Sequence, residues 1–134
     1  MDIKLVKVDR SNWEECVCLS VSDMQKCFVA PNYVSILLAI FEENLFPMCI
    51  YNSDEMVGFL MYGIDPNTKR WELNRLMIGE SHQGKGYSKR ATKILLKELK
   101  VKLGSIKFYT SIVPENSNMK KLVESVRFMK TGDA

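Results

Sequence analysis

The residues with the clearest chemical meaning in this chain are Gln83-Gly84-Lys85-Gly86-Tyr87-Ser88-Lys89, placed between strand formers ending at Ile78 and a long helical stripe. Two glycines one residue apart let the backbone approach a ligand closely and turn its amides toward it. The helix that follows begins with N–H groups lacking an intrahelical acceptor, and its dipole adds a partial positive charge. A strand, a tight turn and a helix start in this order can cradle a pyrophosphate. Ser88 adds a hydroxyl in the first turn, while Lys85 and Lys89 add attraction at longer range. The stretch has neither the Gly-Lys-Ser/Thr ending of a P-loop nor the three-glycine dinucleotide pattern with its downstream acid. A glycine-containing connection with a solvated lysine surface is the competing account of the same residues.

The rest of the composition narrows the chemistry. Nineteen Lys and Arg against sixteen Asp and Glu leave a net charge of +3. That excess is too small and too scattered for a duplex-binding face, which argues against a nucleic-acid partner. Cys16, Cys18, Cys27 and Cys49 form no Cys-x-x-Cys pair, and His82 is the only histidine, so no metal site is expected. Reduced cysteines packed as small apolar groups fit this pattern. The N-terminus MDIKLVKVDR has no long apolar core, and no run approaches the ~20 apolar residues of a membrane helix, so a cytoplasmic protein without a membrane partner is expected.

The elements that must position the loop follow from periodicity. Ile3 and Leu5, then Val6 and Val8, alternate with polar residues but change phase, which predicts an edge strand with a bulge between Leu5 and Val6. Ser11 or Asn12 can cap a short helix holding Trp13, Val17 and Leu19, and Val34, Leu37, Leu38 and Phe41 give a second. Strands are predicted at Met48 to Tyr51, Met56 to Ile64 and Arg70 to Ile78, joined by polar turns into an antiparallel meander. Ala91, Ile94, Leu95, Leu99 and Leu103 mark the long helix from Gly86 to Leu103; Ile106 to Ile112 reads as a strand, and Met119, Leu122, Val123 and Val126 as a last helix. The economical packing is one α/β domain over residues 1–134, an α+β mixture in which a mostly antiparallel sheet is flanked by helices.

Trp71-Glu72-Leu73-Asn74-Arg75-Leu76-Met77-Ile78 followed by Gln83-Gly84-Lys85-Gly86-Tyr87 resembles the central motif of the GCN5-related N-acetyltransferases. More narrowly, Phe28-Val29-Ala30-Pro31-Asn32, Glu55-Met56-Val57-Gly58-Phe59-Leu60-Met61-Tyr62 and Arg75-Leu76-Met77-Ile78 look like bacterial diamine or spermine/spermidine acetyltransferases. The resemblance implies a sheet splayed between its fourth and fifth strands and acetyl-CoA as cofactor. Leu76, Met77 and Ile78 would offer backbone groups to the pantetheine arm, and Gln83 to Lys89 would surround the pyrophosphate. Asn116 would sit near the thiol end. The substrate implied is a small-molecule amine, a diamine or a polyamine such as spermidine or spermine.

Within that chemistry Glu72 is a candidate base acting through water, with a surface ion pair as its alternative role. The Met77 N–H is a candidate to polarise the acyl carbonyl, and Tyr109, Ser117 or water to meet the departing thiolate. A cationic acceptor calls for carboxylates, and Glu42, Glu43 and Glu55 are candidates, with Tyr33 beside them as an aromatic wall. Ordinary solvated helix ends and turns are their competing roles. Three departures from the family pattern stand out. Val123 replaces the tyrosine that often protonates the thiolate, and Arg127 and Ser88 replace glycines. Family members continue past Thr131-Gly132 into two further strands, so a C-terminally short sheet is expected, completed by a neighbouring subunit in a homodimer. A catalytically weak or inactive acyl-CoA-binding protein is the alternative reading.

Overall fold

A computed structural model describes residues 1–21, 31–104 and 106–110. In chain order the elements are β1 (Ile3–Lys7), α1 (Trp13–Cys18), α2 (Asn32–Phe41), β2 (Leu45–Asn52), β3 (Glu55–Ile64), β4 (Trp71–Ile78), a 3-10 turn (Glu80–His82), α3 (Tyr87–Leu103) and β5 (Tyr109–Thr110). The strands form one sheet in the order β1-β2-β3-β4-β5. The first four pair antiparallel, and β5 runs parallel to β4 through Glu72↔Tyr109 and Leu73↔Thr110. This is the mixed, mostly antiparallel sheet with flanking helices that the periodicity predicts.

Both faces of the sheet are covered. Leu60, Leu73, Ile78, Ala91, Leu95 and Leu99 belong to a core beneath α3. Cys16, Cys49, Met56, Phe59, Met61 and Met77 belong to a second core on the opposite face, beneath α1 and α2. Strand β3 carries the alternation that feeds both, which is why every residue from Met56 to Met61 is buried. Within the second core a hydrogen bond to Cys49, together with burial, pushes the Cys16 thiol up, and both thiols are fully buried.

Several boundaries differ from the sequence reading. No bulge interrupts β1, which pairs in unbroken register from Ile3↔Asn52 to Lys7↔Met48. Val6 is exposed on the edge strand instead, where an apolar side chain costs little. The register shifts fall between Ile50 and Tyr51 on β2 and opposite Asn74 on β4. Strand β2 begins at Leu45 and runs through Pro47. Its last pair with β1 is Lys7↔Met48, so the missing Pro47 N–H falls where the ladder ends, while its carbonyl still accepts from Val8 N at 3.2 Å. Asn12 stands at the start of α1 but does not cap it with its side chain. Its Oδ1 accepts from Asp9 N at 2.8 Å and its Nδ2 donates to Lys7 O at 3.0 Å, tying the helix to the end of β1. The fifth strand is short among the described residues, spanning Tyr109–Thr110 within the predicted run from Ile106 to Ile112. The expected last helix, with Asn116, Ser117, Val123 and Arg127, lies outside the described residues, as does the expected shortening of the sheet.

Candidate functional site

The glycine loop is built at the end of β4. Gly79 N donates to Val57 O at 2.9 Å, continuing the β3 pairing, and Glu80 N donates to Ser20 O at 2.8 Å, fastening the turn to the chain beyond α1. Gln83 Nε2 then reaches back to Ile78 O at 2.9 Å. Gly84 (φ 78°) and Gly86 (φ 82°) both adopt left-handed backbone, which a side chain disfavours. A Cβ built at either would meet nothing within 4 Å. These glycines are therefore required by conformation and not by packing, and the space over them is open for a ligand to approach the backbone.

Helix α3 starts directly from Gly86, with no side-chain cap. Its first backbone bond, Arg90 N to Gly86 O at 3.2 Å, leaves the Tyr87, Ser88 and Lys89 amides as the unpaired donors of the first turn. Lys85 and Lys89 are exposed beside them. The Tyr87 side chain does not face this site. Its ring packs in the α3 core, and its hydroxyl accepts from Asn52 Nδ2 at 3.1 Å, anchoring the helix start to the end of β2. Tyr87 thus offers the loop its amide alone. Sequence reasoning missed the groove of about 350 Å³ beside the loop, lined by Cys18, Leu19, Ser20, Gly79, Glu80 and Ser81. Its walls come from segments about 60 residues apart, a juxtaposition that local spacing does not encode.

The shift opposite Asn74 sorts the β4 side chains. Met61 faces Arg75 while Tyr62 faces Leu73, so Asn74 is the extra residue. Leu73 and Leu76, three apart, both pack under α3, and Met77 packs on the other face, where Asn32 Nδ2 lies 3.7 Å from its Sδ. Opposite-strand neighbours share a face, which sets Arg75 beside Met61 and Glu72 beside Gly63 on the α1/α2 side. The backbone has a parity too. Met77 O lies 2.5 Å from where a Gly58 Cβ would stand, so Met77 turns its backbone toward β3. Ile78 O, held by Gln83, points to the other edge. Backbone groups alternate along a strand, so Leu76 and Ile78, and not Met77, present theirs on the β5 side. The expectation that the Met77 N–H meets the acyl group is corrected accordingly. Pairing with β5 covers only Glu72 and Leu73 among the described residues, so the edge from Leu76 to Ile78 lies beyond it.

Glu72 and Tyr109 come together at the far end of β4. Glu72 is buried at 5% exposure. Its Oε2 accepts from Thr68 Oγ1 and lies 3.8 Å from Arg70 Nε. The Arg70 guanidinium in turn sits 4.0 Å above the Tyr109 ring centroid, an attraction between cation and ring face. Six residues of strand separate Glu72 from Ile78, roughly 20 Å. Arg75 Nη1 donates to the Asn74 carbonyl at 2.7 Å.

The acceptor candidates are spread out. Tyr33 stands half exposed at the start of α2, and Glu42 and Glu43 follow its end. Glu55 lies elsewhere, since β2 and β3 pair Leu45 with Gly63 at one end and Asn52 with Glu55 at the other. There Glu55 Oε1 approaches His82 Nδ1 at 3.9 Å. Phe46 stacks on Tyr62 with centroids 5.2 Å apart, and Tyr62 packs against the α3 core. Asn116 lies outside the described residues. Among the described residues no group of His, Cys, Asp or Glu is arranged to hold a metal, and no helix is long and apolar enough to cross a membrane.

Comparison with known proteins matches residues 12–127 to the family model of the acetyltransferase (GNAT) family. The spermine/spermidine N(1)-acetyltransferase of Bacillus subtilis is 29% identical over 140 residues, which cover 99% of this chain and 91% of that protein. Among solved structures, spermidine N-acetyltransferase from Vibrio cholerae, in complex with CoA and spermine, superimposes with a TM-score of 0.77 at 17% identity, covering 98% of this chain and 83% of that one. A ribosomal alpha-N-protein acetyltransferase in complex with coenzyme A gives 0.73 at 19% identity, covering 93% and 78%.

Proposed function

The chain belongs to the acetyltransferase (GNAT) family, and we propose that it moves an acetyl group from acetyl-coenzyme A to a primary amine of a diamine or polyamine such as spermidine or spermine. The observation that carries this reading is the pair of left-handed glycines, Gly84 and Gly86, leading into an uncapped helix start with open space above them. Such a cradle fits a diphosphate, whose oxygens accept from the Tyr87, Ser88 and Lys89 amides while Lys85 and Lys89 supply attraction. The backbone edge of Leu76 and Ile78 orients the pantetheine arm along β4. Acetyl-coenzyme A supplies there a thioester carbonyl already activated toward an amine.

Little further chemistry is asked of the protein: the amine must be neutral, near the carbonyl and relieved of its proton. Glu72 is the group assigned to take that proton through water. Thr68 and Arg70 engage its Oε2 and hold the carboxylate in place, which leaves Oε1 to a water. Glu72→Gln keeps the shape and the Thr68 contact. It should lower kcat by about 100-fold or more, the usual worth of a positioned base, with KM for acetyl-CoA unchanged. A kcat within a factor of three of the wild type would remove Glu72 from the mechanism.

The polyamine assignment draws on the relatives above and on the carboxylates Glu42 and Glu43, with Tyr33 as a ring for an ammonium to approach. Glu55 lies beside His82 and is left out of the proposed acceptor site. Acetyl-CoA turnover, read by thiol release against spermidine, spermine, short diamines, aminoglycosides and peptides, tests it. The expected result is turnover with polyamines at a kcat/KM well above that with peptides. A peptide preference contradicts the acceptor. Coenzyme binding without turnover on any amine establishes instead the non-catalytic acyl-CoA-binding reading that Val123 motivates.

A further inference from the structure

The glycine loop has little of its own to keep its shape. Gly84, Lys85 and Gly86 are exposed, both glycines are left-handed, and nothing lies within 4 Å of where either Cβ would stand. Glycine has more backbone conformations open to it than any other residue, so the loop depends on what holds its ends. The turn between β2 and β3 touches both flanks. On one side Asn52, the last residue of β2, donates from Nδ2 to the Tyr87 hydroxyl at 3.1 Å, and Tyr87 is the first residue of α3. On the other side Glu55, the first residue of β3, sets its Oε1 3.9 Å from Nδ1 of His82, the residue before Gln83. Strand register brings the turn there. Gly58 pairs with Ile78 and Val57 O accepts from Gly79 N at 2.9 Å, so the start of β3 runs on beside the chain that leaves β4.

We propose that the β2–β3 hairpin end braces the coenzyme site, with Asn52 as a positioning residue that acts through Tyr87; the proposal rests on the coenzyme reading above. Asn52 is itself held. Its Oδ1 accepts from Asp2 N at 3.0 Å, and Ser53 N donates to Asp2 O at 2.8 Å. With the oxygen so engaged, the side-chain amide presents its NH₂ group to Tyr87. Tyr87 passes the hold on, because its ring is packed in the α3 core at 8% exposure while its backbone N–H is one of the unpaired donors at the helix start. Asn52 never meets the coenzyme. Its contribution is preorganisation: amides already aimed at the diphosphate need no ordering when it arrives. Once the Asn52 bond is lost, the first turn, whose first backbone bond is Arg90 N to Gly86 O at 3.2 Å, frays more readily, and part of the binding free energy goes into re-forming it.

Calorimetric titration of the full chain with coenzyme A tests this, whether or not the chain turns over an amine. Asn52→Ala should raise the dissociation constant by about 5- to 10-fold, the worth of one part-buried hydrogen bond. A general loss of folding would raise it that much only if about nine-tenths of the chains were unfolded, which far-UV circular dichroism reads directly; the variant is expected to be folded. Tyr87→Phe keeps the packed ring and the backbone amide but removes the same bond, so in that background Asn52→Ala should weaken binding by less than about twofold further. Ser53→Ala, in the same turn, leaves both flanking contacts in place and should bind as the wild type does. Unchanged affinity in a folded Asn52→Ala overturns the proposal, and so does a weakening just as large in the Tyr87→Phe background. These results leave the coenzyme reading standing. A wild-type chain that binds no coenzyme A overturns both together.

Discussion

Gly86→Glu should abolish acetyl-coenzyme A binding, read by calorimetry as a dissociation constant at least about 100-fold higher, or ~2.7 kcal/mol lost. Two effects act at this position and a second variant separates them. Gly86 has φ 82°, so any side chain carries a backbone cost of roughly 1–2 kcal/mol. A Cβ meets nothing within 4 Å, so no collision adds to that cost. Gly86→Ala therefore bears the strain alone and should weaken binding modestly. Glutamate adds a carboxylate where the diphosphate would sit, at a helix start whose amides serve one anion and not two. If Glu and Ala weaken binding equally, the loop is only a hinge. If neither does, the diphosphate is held elsewhere.

Gly63→Ala should destabilise the fold by about 3 kcal/mol or more, enough to remove much of the stability of a domain this size. The residue has φ 148°, and an added Cβ would lie 1.9 Å from Asn44 O and 2.9 Å from its carbonyl carbon. These are backbone atoms, and Asn44 O already accepts from Ile64 N at 2.9 Å, so neither can yield without breaking the closure of the β2–β3 hairpin. Strained backbone and overpacking each cost about 1–3 kcal/mol. Gly63 also pairs with Glu72, so the damage reaches the strand that carries the site. Gly104→Ala is the comparison: its φ is 72° but a Cβ there meets nothing, and about 1 kcal/mol is expected. Urea unfolding of both variants checks the ranking, and equal small losses would show that the hairpin end is looser than these contacts require.

Strong periodicity made most of the fold legible. The α3 stripe, the meander of β2, β3 and β4, and the loop between β4 and α3 all follow from residues close in sequence, where the period of 3.6 or 2 is sustained. What the sequence hid depends on contacts between distant segments. The extra residue at Asn74 leaves no local mark, yet it puts Leu73 and Leu76 on one face and decides which side chains of β4 reach which core. Backbone direction was hidden too, because alternation fixes that Leu76 and Ile78 share an edge but not which edge it is. The Gly58 contact with Met77 O and the Gln83 bond to Ile78 O settle that. Tyr87 reads as a ligand-side residue in the motif and proves to be an anchor, because its partner Asn52 is 35 residues away. Glu55 fell in with Glu42 and Glu43 by charge, and the hairpin register separates them.

The loop and helix start can be examined one amide at a time. Titrating the ¹⁵N-labelled chain with coenzyme A, and following backbone amide shifts, should move Gly84, Gly86, Tyr87, Ser88 and Lys89 most, with Leu76 and Ile78 next and Met77 little changed. Saturable shifts gathered elsewhere, with those five amides unmoved, would contradict the account.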